Sequence, residues 1–175
     1  MKEKYLSRMV KSLKKSGIDF SAGLPDSWLG NLIEKLDEDS SITYVPVCNE
    51  GVGFSVCAGA WLGGKKPALV MENSGLRVAA EPIARLNFHL GGGGGHHGVG
   101  TLIISSYRGD LGDTELWSKA HAITCEPLLD TLRIPYLILR DSEKIEKTIV
   151  RATRGAFTFM QPTAILVSGD LTMVD

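Results

Sequence analysis

Residues Asn49 to Leu76 read NEGVGFSVCAGAWLGGKKPALVMENSGL, and the reading of this stretch decides the fold. Its first half, Asn49 to Leu62, is a helix of small and apolar residues with a single acid, Glu50, at its mouth. KPALVMEN follows, a short apolar run bounded by turn signals, which reads as a buried strand. ENSGL then forms a polar turn. A strand that is apolar throughout, instead of alternating, belongs in a parallel sheet covered on both faces.

The same alternation extends outward in both directions. EKYLSRMVKSLKKSG carries apolar residues on one helical face and stops at Gly17. IDFSAGLP is a short strand broken by Gly23 and Pro25. Asp26 or Ser27 can cap a helix through SWLGNLIEKLDED, and SITYVPV is rich in β-formers. Beyond the central stretch, LRVAAEPIARLNFHL is a helix and GTLIISS a strand. DTELWSKAHAITCEPLLDTL is a helix candidate, IPYLILR a strand, SEKIEKTIVRATRGAFTFM a helix and PTAILVSG a final strand. The fold class is α/β: a three-layer α/β/α arrangement around a mainly parallel sheet of about six strands. Residues 1–175 form one domain, since a chain of this length with 43% hydrophobic residues buries one core.

Composition narrows the function. A formal net charge of -1 provides no basic field for a nucleic acid or an anionic membrane. The Lys-rich start lacks the apolar segment and cleavage site of a signal peptide, and no apolar run spans a bilayer, so a cytoplasmic setting is expected. Cys48, Cys57 and Cys125 are odd in number and lack CxxC spacing, which argues against a disulfide framework or a zinc site. They read as small buried hydrophobes. HLGGGGGHHGVG places a flexible Gly-rich loop at 91–98, because consecutive glycines hold a regular element only at large entropic cost. His96 and His97 lie in that tract without further ligands nearby, so no metal site is expected there.

In parallel sheets, ligands sit beyond the carboxyl ends of the strands. GLPDS, CNEGVG, ENSGL and SYRGDLGD follow the first four strands, and amide and charged side chains collect in them. Gly51-x-Gly53, with Glu72 about twenty residues on, imitates a dinucleotide fingerprint. Val56 stands where a third small residue is needed, and Glu50 would place negative charge beside a bound pyrophosphate. A dinucleotide-binding domain is therefore the weaker alternative.

NEGVGFSVCAGAWLGGKKPALVMENSGL resembles the pyrimidine-binding (PYR) domain of thiamine diphosphate enzymes. With GLPDSWL, SYRGDLGD and EPLLDTLRIPYLIL, the resemblance is closest to the family of sulfopyruvate decarboxylase α subunits and the matching half of phosphonopyruvate decarboxylases. It implies that Glu50 is the acid that hydrogen-bonds the cofactor's aminopyrimidine and so activates it. The cofactor then serves as electron sink while a 2-oxo acid loses carbon dioxide. A carboxyl sharing a proton with a bound base works best when shielded from water, and the apolar neighbours of Glu50 can supply that shielding. The resemblance also implies that Pro25, Asn73, Ser74 and Gly75 border the cofactor, with Asn73 and Ser74 facing the substrate.

Arg108 is the cation of the four loops, and a guanidinium suits a carboxylate, sulfonate or phosphonate. Its bland alternative is an ion pair with Asp110 or Asp113. His121, on a predicted helix, is either a proton shuttle or a satisfied, partly buried histidine. The family holds magnesium and the diphosphate through a Gly-Asp-Gly motif followed by Asn, and no Asn occurs after Asn87 here. The expectation is therefore a chain with no metal ligands of its own, which shares thiamine diphosphate with a diphosphate-binding (β) subunit carrying the magnesium. Self-association of α subunits is expected as well. An inactive relative serving assembly or regulation is the other alternative, against which the presence of Glu50 counts.

Overall fold

The computed structural model describes residues 1–89 and 98–173. The tract read as a flexible loop, with His96 and His97, therefore lies outside the described residues except for Gly98. Six strands form one sheet: β1 (Phe20–Gly23), β2 (Thr43–Pro46), β3 (Pro67–Glu72), β4 (Thr101–Ser106), β5 (Tyr136–Leu139) and β6 (Pro162–Val167). Their order is β2-β1-β3-β4-β6-β5 and every pairing is parallel, with Glu72 in register with Ser106 at the carboxyl ends of β3 and β4. The strands that read as apolar runs, β3, β4 and β6, occupy the buried interior of the sheet, while β2 and β5 form its edges.

Helices α1 (Glu3–Lys15), α2 (Gly30–Asp37) and α6 (Ile145–Thr158) cover one face. There Leu6, Met9, Leu32 and Ile149 pack on Val70, Leu102 and Ile104. Helices α3 (Glu50–Leu62), α4 (Gly75–His89) and α5 (Lys119–Thr131) cover the other, where Phe54, Ile83 and Leu129 meet Leu69, Met71 and Ile103. Successive residues of β3 thus feed opposite cores, as a period of two requires. Glu126 on α5 accepts hydrogen bonds from the hydroxyls of Tyr107 and Tyr136, the latter at 2.7 Å, which ties α5 to the sheet.

Small residues in α3 let it sit unusually close to its neighbours. A Cβ on Gly53 would stand 2.7 Å from Leu69 Cδ1, and one on Gly51 would stand 3.2 Å from the Val78 carbonyl oxygen of α4. The glycines that imitate a dinucleotide motif are thus used for packing on β3 and α4. Cys57 and Cys125 are buried as expected, but Cys48 is exposed in the loop before α3.

Among the differences from the sequence reading, two concern the segments after β4 and β6. The helix candidate beginning at Asp113 forms a single 3-10 turn at Leu116–Ser118 and becomes α-helical only at Lys119. A short α7 (Gly169–Thr172), capped by the Ser168 hydroxyl, follows β6. The first difference has a clear cause, because Asp113 is turned inward. Its carboxylate accepts from Arg108 Nε at 2.9 Å and from the backbone N–H of Gly109 and of Glu115 at 2.8 and 3.0 Å. Arg108, only 4% exposed, donates also to Ser27 and lies between the rings of Trp28 and Trp117, 4.5 Å from each centroid. The ion pair is therefore with Asp113 and buried, while Asp110 pairs with Arg140. Asp26 braces the same corner, accepting from the backbone N–H of Leu29 at 3.0 Å and from the Ser106 hydroxyl.

Burial pushes the Asp113 carboxyl up, but hydrogen bonds from Arg108 and the two backbone amides outweigh it and bring the value from 3.8 down to about 2. A carboxyl depressed on folding adds stability above its unfolded value and loses it as pH falls toward its folded value. The wild-type chain is expected to lose roughly 2 kcal/mol from this group as pH falls from about 4 to about 2. Asp113→Asn should lack that acid-dependent component and, by leaving Arg108 buried without its counter-charge, cost about 3 kcal/mol at neutral pH. Urea unfolding at neutral and acidic pH checks both.

Candidate active site

The site is built at the carboxyl ends of β1 to β4. Asn49 begins it: its backbone is extended and its Oδ1 accepts the N–H of Val52 at 2.9 Å, which fixes the start of α3 at Glu50. The carboxylate is thereby held in the first turn, where the helix dipole favours it. The close seating of α3 then brings Glu50 against the loop after β3. A Cβ on Gly75 would stand 2.5 Å from Glu50 Cδ and 2.6 Å from Oε1, so the half-buried Glu50 side chain occupies the space that any other residue at 75 would fill.

Asn73 is 1% exposed and belongs to the wall of this corner. Its Nδ2 donates to the Arg108 carbonyl at 2.9 Å, while its Oδ1 has no hydrogen-bond partner among the described residues. Burial pushes the neighbouring Cys125 thiol up to about 12 despite the Asn73 amide beside it, so this wall stays uncharged. Pro25 is exposed in the loop after β1, immediately before the inward-turned Asp26.

Ser74 opens a chain of polar contacts. Its hydroxyl donates to Glu72 Oε1 at 2.6 Å, and the same oxygen is 3.5 Å from His121 Nε2. Arg77 Nη2 lies 3.0 Å from His121 Nδ1, and Nη1 donates to Thr124 Oγ1 at 2.9 Å. A guanidinium N–H only donates, so Nδ1 accepts and the proton of a neutral His121 sits on Nε2, toward Glu72. Trp117 meets the His121 ring edge-on at 5.4 Å, linking this chain to the Arg108 clamp.

The structure therefore brings Glu50 to Gly75, and Ser74 to His121 through Glu72. Arg108 stands behind Asn73 with its guanidinium engaged by Asp113, Ser27 and two tryptophans. Arg77, Trp28 and Trp117 escape a reading based on loops alone, whereas Asp113 is one of the two partners named for Arg108 and is the one it takes. Arg77 did leave one signal, since a cation in the first turn of a helix opposes the dipole and so has some other reason to be there. Chemically, the corner offers a shielded carboxylate at a helix mouth and a buried orphan acceptor. Beside them stands a histidine whose two nitrogens are fixed from both sides. A carboxylate so placed fits the ring nitrogen of an aminopyrimidine as a hydrogen-bond partner. Among the described residues no group of three metal-ligating side chains occurs, and no helix is long and apolar enough to cross a membrane.

No protein-family model matches the chain. It is 33% identical to sulfopyruvate decarboxylase subunit alpha of Methanococcus maripaludis over 91% of both chains. It is 34% identical to the subunit alpha of Methanocaldococcus jannaschii over 90% of this chain and 89% of that one. Similarity to phosphonopyruvate decarboxylase of Streptomyces hygroscopicus, at 32% identity, covers 62% of this chain and 25% of that protein. Among solved structures, a 2-oxoglutarate:ferredoxin oxidoreductase from Magnetococcus marinus superposes with a TM-score of 0.71 at 14% identity, over 96% of this chain and 29% of that one, a likeness of fold alone. Identity of about a third across nine-tenths of both partners settles kinship, and the chain belongs to the family of sulfopyruvate decarboxylase alpha subunits.

Proposed function

We propose that the chain is the pyrimidine-binding subunit of a thiamine diphosphate-dependent decarboxylase acting on a 2-oxo acid with a second anionic group, of which sulfopyruvate is the first candidate. The observation that carries this reading is the Glu50 carboxyl held against Gly75, at the mouth of α3 and beside the loop after β3. Family membership supports it, and so does the match over about nine-tenths of separate alpha subunits.

In this reading Glu50 hydrogen-bonds the pyrimidine ring and holds the proton whose position activates the cofactor. When bound, thiamine diphosphate supplies the nucleophilic carbon and the electron sink for loss of carbon dioxide. Pro25 and Gly75 border the ring, and the absence of a Cβ at Gly75 lets the carboxyl reach it. Asn73 offers its buried, unpaired Oδ1, and the Ser74 hydroxyl stands at the substrate side of the same loop. His121 lends an N–H that Arg77 keeps pointed at Glu72. Arg108 serves the substrate side by fixing the loop 107–113 on which that wall rests.

Magnesium and the diphosphate are assigned to a separate beta subunit. The exposed Val52 and Val78, 41% and 53% accessible, flank Glu50 and Gly75 on α3 and α4 and offer an apolar surface for such a partner. Pairing of alpha subunits with one another belongs to the same proposal.

Three outcomes test it. In the complex reconstituted with the beta subunit, Glu50→Gln should slow exchange of the cofactor's C2 proton by at least about 100-fold, since a neutral amide cannot supply the proton; unchanged exchange sinks the assignment. Gly75→Ala should displace the Glu50 carboxyl by roughly an ångström and lower kcat by about 100-fold, while the melting temperature of the subunit changes far less. The purified chain alone should bind thiamine diphosphate weakly in calorimetry with magnesium and turn over no substrate. Tight magnesium-dependent binding by the lone chain would refute the division of labour.

A further inference from the structure

We infer that Arg77 is the residue that recognises the second anionic group of the substrate; the inference rests on the reading above and names the specificity determinant within that site. Three observations lead to it.

The first is a comparison of three arginines at the carboxyl edge of the sheet. Arg108 is buried, with Nε and Nη2 on Asp113, Nη1 on Ser27 and both faces covered by Trp28 and Trp117. Arg140 is bound to Asp110 and Ser168. Arg77 is exposed, and its two partners, Thr124 Oγ1 and His121 Nδ1, are both neutral. Among the described residues no carboxylate lies within ion-pair distance of it; Glu72 is the nearest one linked to it, through the His121 ring.

The second observation is position. Arg77 lies in the first turn of α4, two residues after the Gly75 that meets Glu50 and three after Ser74. One helical turn advances only about 5.4 Å, so its Cα and the Glu50 contact share one end of the helix.

The third is preparation. Two N–H groups of Arg77 are held by α5, and a guanidinium has five, so the remaining donors belong to a side chain already restricted in its rotamers. The ring of His121 that holds it is itself fixed by Glu72 and Trp117. A cation placed against the dipole of its own helix gains nothing there for stability, whereas an anion bound at that point meets the guanidinium and the helix dipole together. A sulfonate, with charge spread over its oxygens, matches such a fork.

The test compares sulfopyruvate with pyruvate, which lacks the second anion, in the reconstituted complex. Arg77→Gln should lower the ratio of the two kcat/KM values by roughly 30-fold or more. Arg77→Lys, which keeps the charge and loses the fork, should recover part of that ratio. Binding of the unreactive β-sulfopropionate, followed by calorimetry, should weaken in parallel. If Arg77 only joins α4 to α5, both kcat/KM values fall together and the ratio stays put, which overturns the inference. A subunit carrying Gln that fails to assemble leaves the Lys variant to decide by the same ratio. A wild-type complex that decarboxylates neither compound overturns the functional reading as well, whereas a wild-type complex active on sulfopyruvate with a ratio unmoved in the variants overturns this inference alone.

Discussion

The contact between α3 and its neighbours governs everything else at the carboxyl edge. Gly53 lets the helix axis approach β3 until Leu69 lies where a side chain would be, and Gly51 does the same toward α4. Because α3 is that close, its first residue reaches across to the start of α4, and Glu50 comes to rest on Gly75. A carboxylate half removed from water is costly unless something compensates it. Here the compensation comes from the amides of a helix start fixed by Asn49, whose cap sets where the acid stands.

The remaining loops act as a frame around that corner. Asn73 hangs from the Arg108 carbonyl, Arg108 is gripped by Asp113 between two indole rings, and Asp26 fastens the loop after β1 to Ser106. The frame therefore uses its strongest cation internally. Arg77, on the neighbouring helix, stays accessible. Burial fixes Arg108 in its building role, since a guanidinium with a buried carboxylate partner exchanges it for another anion only at a large electrostatic cost.

Much of this was legible in the sequence. Apolar runs of strand length between helical stretches gave the parallel sheet, and all six strands and the helix from Glu50 to Leu62 are where those runs are. Glu50 stood out because an acid among small residues contrasts with its surroundings. Arg108 did not reveal its burial, because Trp28 and Trp117 arrive from loops on either side of it that only the fold brings together. Asp113 looked like the start of a helix, and its capture by Arg108 and two backbone amides is what delays α5 to Lys119. The link from Ser74 through Glu72 to His121 and Arg77 joins α4 to α5, and no spacing rule connects positions so far apart in the chain.

The glycines of α3 also bear on how the molecule comes into being. Gly51, Gly53 and Gly59 make this segment a poor helix in isolation, each costing on the order of 1 kcal/mol relative to alanine. Such a segment is helical only where packing holds it, and the packing surface is β3, whose partners β1 and β4 come from well before and well after it in the chain. During synthesis the ribosome must therefore release β4 before α3 has a complete floor to lie on, and nucleation falls to segments with stronger local preferences. The corner that holds Glu50 therefore depends on contacts between segments far apart in the chain, and its local sequence alone does not specify it.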